Sequence, residues 1–139
     1  MQHTHTYKNI RREQEFCINF INADYYDACQ QTIKNNDDEI DELADAGFTA
    51  EEAKTVSAPR IAEAFLTFEC KLEHVMDLSG KGISAMIVGH VLHAAIDENH
   101  KNADAVCQNF MFYIHAPKDL ATGEGEQGAI AELRVVRAE

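Results

Sequence analysis

The groups in this chain that could do chemistry are thiols, imidazoles, carboxylates and one glycine-rich turn, and each depends on its setting. His90 and His93 form an H-x-x-H pair among seven histidines. On an extended strand, residues three apart face opposite sides of the sheet, so this pair is not expected to close on one ion. A zinc site also needs further ligands at recognisable spacings, and none stands at one, so no metal is expected. His74, His93 and His100 read as strand-end or surface residues, and His3 and His5 as part of a terminal segment. Cys17, Cys29, Cys70 and Cys107 never approach a C-x-x-C spacing. Each sits among apolar or helical neighbours, as a small buried hydrophobe would, so disulfides are not expected. Thiol chemistry at Cys29 would need cationic neighbours to lower its pKa, and its neighbours are acidic. Gly123-Glu124-Gly125-Glu126-Gln127-Gly128 spells G-x-G-x-x-G. A dinucleotide fingerprint requires a strand before it and a βαβ unit around it. Only residues 129–139 follow, and two glutamates would repel phosphates, so a flexible turn is the expectation. Glu39, Asp41, Glu42 and Asp45 read as a solvated helix face rather than an acid–base pair. Phe65, Phe68, Phe110, Phe112 and Tyr113 read as core.

The 139 residues carry 12 Lys plus Arg against 24 Asp plus Glu, a formal charge of −12. Nucleic-acid binding rests on cations that displace condensed counterions, so that partner class is excluded, and a polybasic membrane patch with it. No run approaches the roughly 20 apolar residues that span a bilayer. The opening MQHTHTYKNIRREQEF has no apolar h-region. Free cysteines and no visible signal make a reducing cytoplasm the expected compartment. A chain of this size buries roughly 68% of its unfolded surface, enough for one domain over residues 1–139.

Thr4 and Thr6 can both cap a helix through TYKNIRREQ. Phe16-Cys17-Ile18-Asn19-Phe20 alternates like a strand. Asp24 can cap a helix YYDACQQTIK, and Asp37-Asp38-Glu39 can open another, EIDELADA, with Gly47 after its end. Thr49-Ala50-Glu51-Glu52 has the letters of a capping box and predicts one more turn. From Leu66 the alternation is strict. Leu66, Phe68, Cys70 and Leu72 share one side, and Thr67, Glu69, Lys71 and Glu73 the other, predicting a strand with one wet face. Asp77 to Gly82 is turn chemistry, and Ile83 to Ile96 reads as a return strand covered on both faces. Phe110 to Ile114 and ELRVVR at 132–137 are further strand candidates. The class is α+β, mainly β. A long hairpin with a few short strands does not close a barrel, and the chain reads like the later part of a β-domain.

Thr6-Tyr7-Lys8-Asn9-Ile10 followed by Glu15-Phe16-Cys17-Ile18-Asn19 resembles the "TYKNI…EFVVN" segment of flavin reductase-like proteins, the FMN-binding split barrels of flavoredoxin type. The likeness continues in order. Asp41-Glu42-Leu43 with Ala46-Gly47-Phe48-Thr49 resembles "DKF…AGLT", and residues 58–64 resemble "APRIAEA". Phe68 to Leu72 resembles "LECKL", and Ile87 to Val91 resembles "FIGEV". Family members carry opening strands before TYKNI, so the resemblance implies a partial FMN-binding split β-barrel with a helical insertion.

The resemblance further implies FMN near a homodimer interface, passing hydride from NAD(P)H to a small-molecule redox substrate, with the protein positioning and tuning the ring. Thr6 matches the threonine of the family's "SRYT", while Thr4 stands where that motif has its arginine. Asn19 matches the asparagine after "EFVV". The family's "CGxxSG" turn falls on Cys29 to Lys34, where Cys29 is retained and Thr32 and Lys34 offer a hydroxyl and a charge. Ser84 replaces a histidine that often precedes "FIGEV". Thr4, Thr6, Asn19, Cys29, Thr32 and Lys34 are therefore the expected cofactor-binding set, with helix capping an equal reading for the threonines. The alternative is a non-catalytic remnant or partner subunit that pairs through its open sheet edge.

Overall fold

The computed structural model describes residues 4–34, 39–102, 110–114, 124–125, 128–133 and 136. Helix α1 runs His5–Glu13, capped by Thr4, whose hydroxyl oxygen accepts from the Tyr7 amide at 3.3 Å. Gln14, at φ 62°, ends it, and its amide donates to Ile10 at 2.9 Å. Arg11 and Arg12 in the last turn suit the negative end of the helix dipole. Strand β1 (Glu15–Phe20) follows directly.

The helical excursion is more broken than the sequence predicts. Asn22, not Asp24, caps a short 3-10 turn at Ala23–Tyr25, and α2 covers only Tyr26–Gln31. Helix α3 is a single turn, Glu42–Asp45, capped by the Asp41 carboxylate on the amides of Leu43 and Ala44. Gly47 follows at φ +80°, as a residue after a helix end should. The expected capping-box turn is instead strand β2 (Ala50–Glu51), paired with β3 (Arg60–Ile61). Ala50 and Glu51 pair with Ile61 and Arg60, and a cross-strand ion pair joins them, with Arg60 Nη2 3.1 Å from the Glu51 carboxylate.

Strands β4 (Leu66–Asp77) and β5 (Ala85–Ile96) form the long hairpin, and β1 pairs with β4, giving the order β1-β4-β5, all antiparallel. The hairpin tip is tied by Asp77, whose carboxylate accepts from the amides of Ser79, Gly80 and Gly82. A register shift leaves Leu92 unpaired, so His90 faces Lys71 and His93 faces Glu69. Those two β4 partners lie on one face, so the bulge returns His93 to the side of His90 that simple alternation denies it. Among the described residues no three metal-ligating side chains come together. Strands β6 (Met111–Ile114) and β7 (Ala129–Glu132) pair separately; of the 132–137 stretch that the sequence favours, Glu132 ends β7, and Arg134, Val135 and Arg137 lie outside the described residues. Cys107, Gly123, Glu126 and Gln127 lie outside the described residues.

Two burial expectations are corrected. Thr67 and Glu69, on the supposedly wet face of β4, are 4% and 0% exposed, while Lys71 and Glu73 are exposed. Strand β5, expected to be covered on both faces, leaves Met86, Val88, Val91, Leu92 and Ile96 exposed, because among the described elements it packs mainly on its neighbour β4 in the same sheet rather than under a second layer. An aromatic cluster joins the sheet to β6: Phe20 meets Phe68 and Phe110 edge-on at 5.3 and 5.2 Å, and Phe65 meets Phe110 at 5.3 Å.

Candidate functional site

Successive side chains of a strand alternate, so Glu15, Cys17 and Asn19 share one face of β1. Each holds the backbone of the loop that runs into β3. The Glu15 carboxylate accepts the Ser57 amide at 2.6 Å and the Ser57 hydroxyl. The Cys17 thiol donates to the Ala58 carbonyl at 3.3 Å. Asn19 Oδ1 accepts the Ile61 amide at 3.1 Å and the Thr67 hydroxyl at 3.0 Å. On β4, Glu69 stands opposite Cys17 and accepts the amides of Lys54 and Thr55 and the Thr55 hydroxyl, the last two at 2.7 Å. Arg60 Nη1 lies 3.8 Å from the same carboxylate. Residues 54–61 are thus a strap pinned across the sheet by polar side chains.

The electrostatics follow from these bonds. Burial alone would raise the Glu69 pKa, but the donors from Lys54 and Thr55 outweigh it and hold the carboxyl below its ordinary value. Two bonds from Ser57 lower Glu15 in the same way. Burial, aided by the neighbouring Glu69 charge, pushes the Cys17 thiol up to about 11, and burial raises Cys29 as well. Both sulfurs are therefore protonated at neutral pH and unsuited to nucleophilic attack.

Between the strap, α1, α2 and α3 lies a cavity of about 680 Å³. Ile10, Phe16, Ile21, Leu43, Phe48 and Ile61 give it apolar walls, and Thr6, Thr32 and Ser57 supply hydroxyls. That size and make-up suit an organic ligand with a large flat apolar part. Of the residues expected to bind a cofactor, Thr6, Cys29 and Thr32 line this cavity together, and the Thr32 hydroxyl donates to the Cys29 carbonyl at 2.9 Å. The other three stand elsewhere. Thr4 caps α1, Asn19 is engaged beneath the strap, and Lys34 is exposed with its ammonium on Gln31 at 2.8 Å. Sequence reasoning missed Glu15, Ser57 and Glu69. The polar residues at every second position of β1 were the available signal.

The flavin reductase like domain description matches residues 1–116. The chain belongs to the flavin reductase-like family. Its fold is that of nitrilotriacetate monooxygenase component B from Bacillus cereus, at TM-score 0.75 and 20% identity over 96% of this chain and 64% of that one. Flavoredoxin of Desulfovibrio vulgaris (Miyazaki F) superposes at TM-score 0.66 with 18% identity, over 97% of this chain and 68% of that one. An uncharacterised protein of Aquifex aeolicus is 39% identical over 67 residues, 48% of this chain and 34% of the relative. The chain thus spans about a third of that curated relative and about two thirds of the solved structures. It is a mainly-β split-barrel type whose described sheets are open.

Membership makes a flavin the group to test against the cavity. The apolar walls and hydroxyls fit a flavin ring and its sugar-alcohol chain. The charged residues in the wall do not fit a phosphate. They are Glu13, Glu15 and Glu42 with Arg12, and both Arg12 and the His5 ring already stand against a carboxylate. Arg12 Nε lies 2.6 Å from Glu13, and His5 Nδ1 lies 3.1 Å from Glu42.

Proposed function

We propose that this flavin-related oxidoreductase or electron carrier works with FMN, receives hydride from NAD(P)H and passes reducing equivalents to a small molecule. The observation that carries the reading is the cavity: in a chain of this family, Thr6, Cys29 and Thr32 meet apolar walls held by a hydrogen-bonded strap. A bound flavin would supply hydride acceptance and return. The chain's own residues bind and orient. Phe16, Phe48 and Ile61 exclude water from a ring face, Thr6 and Thr32 offer hydroxyls, and the protonated thiols add no competing nucleophile.

We further propose a homodimer in a reducing cytoplasm. Met86, Val88, Val91, Leu92 and Ile96 along β5 are exposed apolar side chains, spread over both faces of the strand, of the kind a second chain would cover. Cys17, Cys29 and Cys70 are free thiols, as that compartment keeps them, and no described helix is long and apolar enough to cross a membrane. The partner-subunit reading also has an observation behind it, since β1 and β5 each have one edge without a strand among the described residues. Purified chain titrated with FMN should acquire bound visible flavin absorbance. A folded chain that ignores FMN overturns the choice of FMN, one that ignores every flavin overturns the flavin reading, and a stable monomer by light scattering counts against the homodimer and edge pairing alike.

A further inference from the structure

The cavity wall holds three carboxylates, Glu13, Glu15 and Glu42, against one permanent cation, Arg12, so with His5 neutral its formal charge is −2. Glu15 is held below its ordinary value by Ser57, and the side chains of Glu13 and Glu42 are 47% and 27% exposed. Arg12 and His5 are already on Glu13 and Glu42. The adjoining cleft brings Lys8, but together with Asp41 and Glu42. The whole chain adds a formal charge of −12. A phosphate monoester carries about −1.5 to −2 at neutral pH, and among the described wall residues the one permanent cation, Arg12, already has a carboxylate beside it.

We propose that the cavity recognises the uncharged part of a flavin, ring and sugar-alcohol hydroxyls, and that Glu13, Glu15 and Glu42 work against the phosphate, so that riboflavin binds at least as tightly as FMN. The inference rests on the flavin reading above and sharpens it from a cofactor to a chemical class. Apolar walls and hydroxyls supply the affinity, and both ligands share the groups that meet them. The phosphate is the only difference, and it enters a field of its own sign. Because Glu13 is exposed and Glu15 and Glu42 are only half-buried, that field is screened. The Debye length shortens from about 30 Å at 0.01 M salt to about 8 Å at 0.15 M, so discrimination should fade as salt rises.

The test is a pair of fluorescence-quenching titrations on the purified full chain, with riboflavin and with FMN, at 10 mM and 150 mM salt. Riboflavin is expected to bind about 3-fold or more tighter than FMN at low salt, with the ratio approaching one at high salt. Glu13→Gln removes one carboxylate and releases Arg12, and should shift the affinity ratio toward FMN by about 3- to 10-fold. The variant should fold, because a carboxylate in the last turn of α1 opposes the helix dipole. Lys8→Ala tests the adjoining cleft, and the FMN-to-riboflavin ratio should not move. FMN binding tenfold tighter than riboflavin, a selective loss of FMN in Lys8→Ala, or an unmoved ratio in Glu13→Gln would each overturn the inference while leaving the flavin reading intact. A chain that binds neither ligand overturns both.

Discussion

Asn19 was expected to touch the cofactor, yet its side chain is spent on protein, and this difference can be measured. Asn19→Ala removes the acceptor for the Ile61 amide and for the Thr67 hydroxyl, the latter on a residue only 4% exposed. A buried donor left without a partner costs about 1–3 kcal/mol, so the two together predict a loss of about 2–4 kcal/mol, with the half-buried Ile61 at the low end. That is a large share of a native stability of about 5–15 kcal/mol. At a urea m-value of about 2 kcal/mol/M the midpoint should fall by about 1–2 M with the slope unchanged. Thr67→Val placed in the Asn19→Ala background should recover about 1 kcal/mol, because the orphaned hydroxyl is then gone as well. Amide exchange at Ile61 should accelerate in the single variant. A midpoint shift below about 0.3 M, with FMN affinity lost instead, would refute the strap-holding role and restore Asn19 to the ligand.

Three further outcomes follow from the same geometry. Glu69 is held below its ordinary value of 4.5, so the stability it contributes is present above that pH and lost as pH falls through its lower folded value. Glu69→Gln should therefore be less stable at pH 7 and lose less on acidification to pH 3. Parallel acid limbs for the two proteins in urea melts would disprove this. Gly89→Ala should cost about 1–3 kcal/mol in thermal or urea unfolding, since the new methyl would overlap the Phe16 ring and sit 3.1 Å from Cys70 Cβ; an unchanged midpoint would show that Phe16 can give way. Cys17, with its thiol near 11, should have about one thiolate in a thousand at pH 8. Alkylation by iodoacetamide, followed by peptide mass, should run more than tenfold slower than on free cysteine, and an equal rate would contradict the buried setting.

What was legible in the sequence was whatever local pattern decides. The alternation from Leu66 is long enough to fix β4, and the turn letters from Asp77 fix the hairpin tip. Thr4 and Asp41 sit where short acceptors meet free helix amides. What was not legible depends on partners distant in sequence. Glu69 and Lys71 occupy equivalent places in the alternation, and one is buried and the other exposed only because the amides of Lys54 and Thr55 converge on the first. Thr49 to Glu52 could open a helix on its own, but Ala50 and Glu51 pair instead with Ile61 and Arg60, partners that the local letters do not show. The Leu92 bulge carries no glycine or proline to mark it, and it overturns the facing of His90 and His93. Of the residues that the family likeness proposes, Thr6, Cys29 and Thr32 line the cavity, while Glu42 beside them reads in the sequence as part of a solvated helix face and Glu13 and Glu15 carry no local signal.

The polar face of β1 also explains why a cavity wall here is held by hydrogen bonds rather than by apolar packing. Side chains at 15, 17 and 19 repeat about every 6.6 Å along the strand, two residues at a time. They meet the backbone at Ser57, Ala58 and Ile61, which spreads the strap out along β1. Apolar side chains could cover the sheet as well, but hydrophobic contact is non-directional and would leave the strap free to slide. Donor and acceptor pairs fix one register, because a slip by one residue would orphan several buried groups at once. Pro59 fits the same scheme. It has no amide to satisfy, and the strap is gripped at that point through the carbonyl of Ala58 instead. The wall that Ser57, Pro59 and Ile61 present to the cavity is thereby set by β1, and its shape should survive changes in the ligand-facing side chains that would reshape a wall held by packing alone.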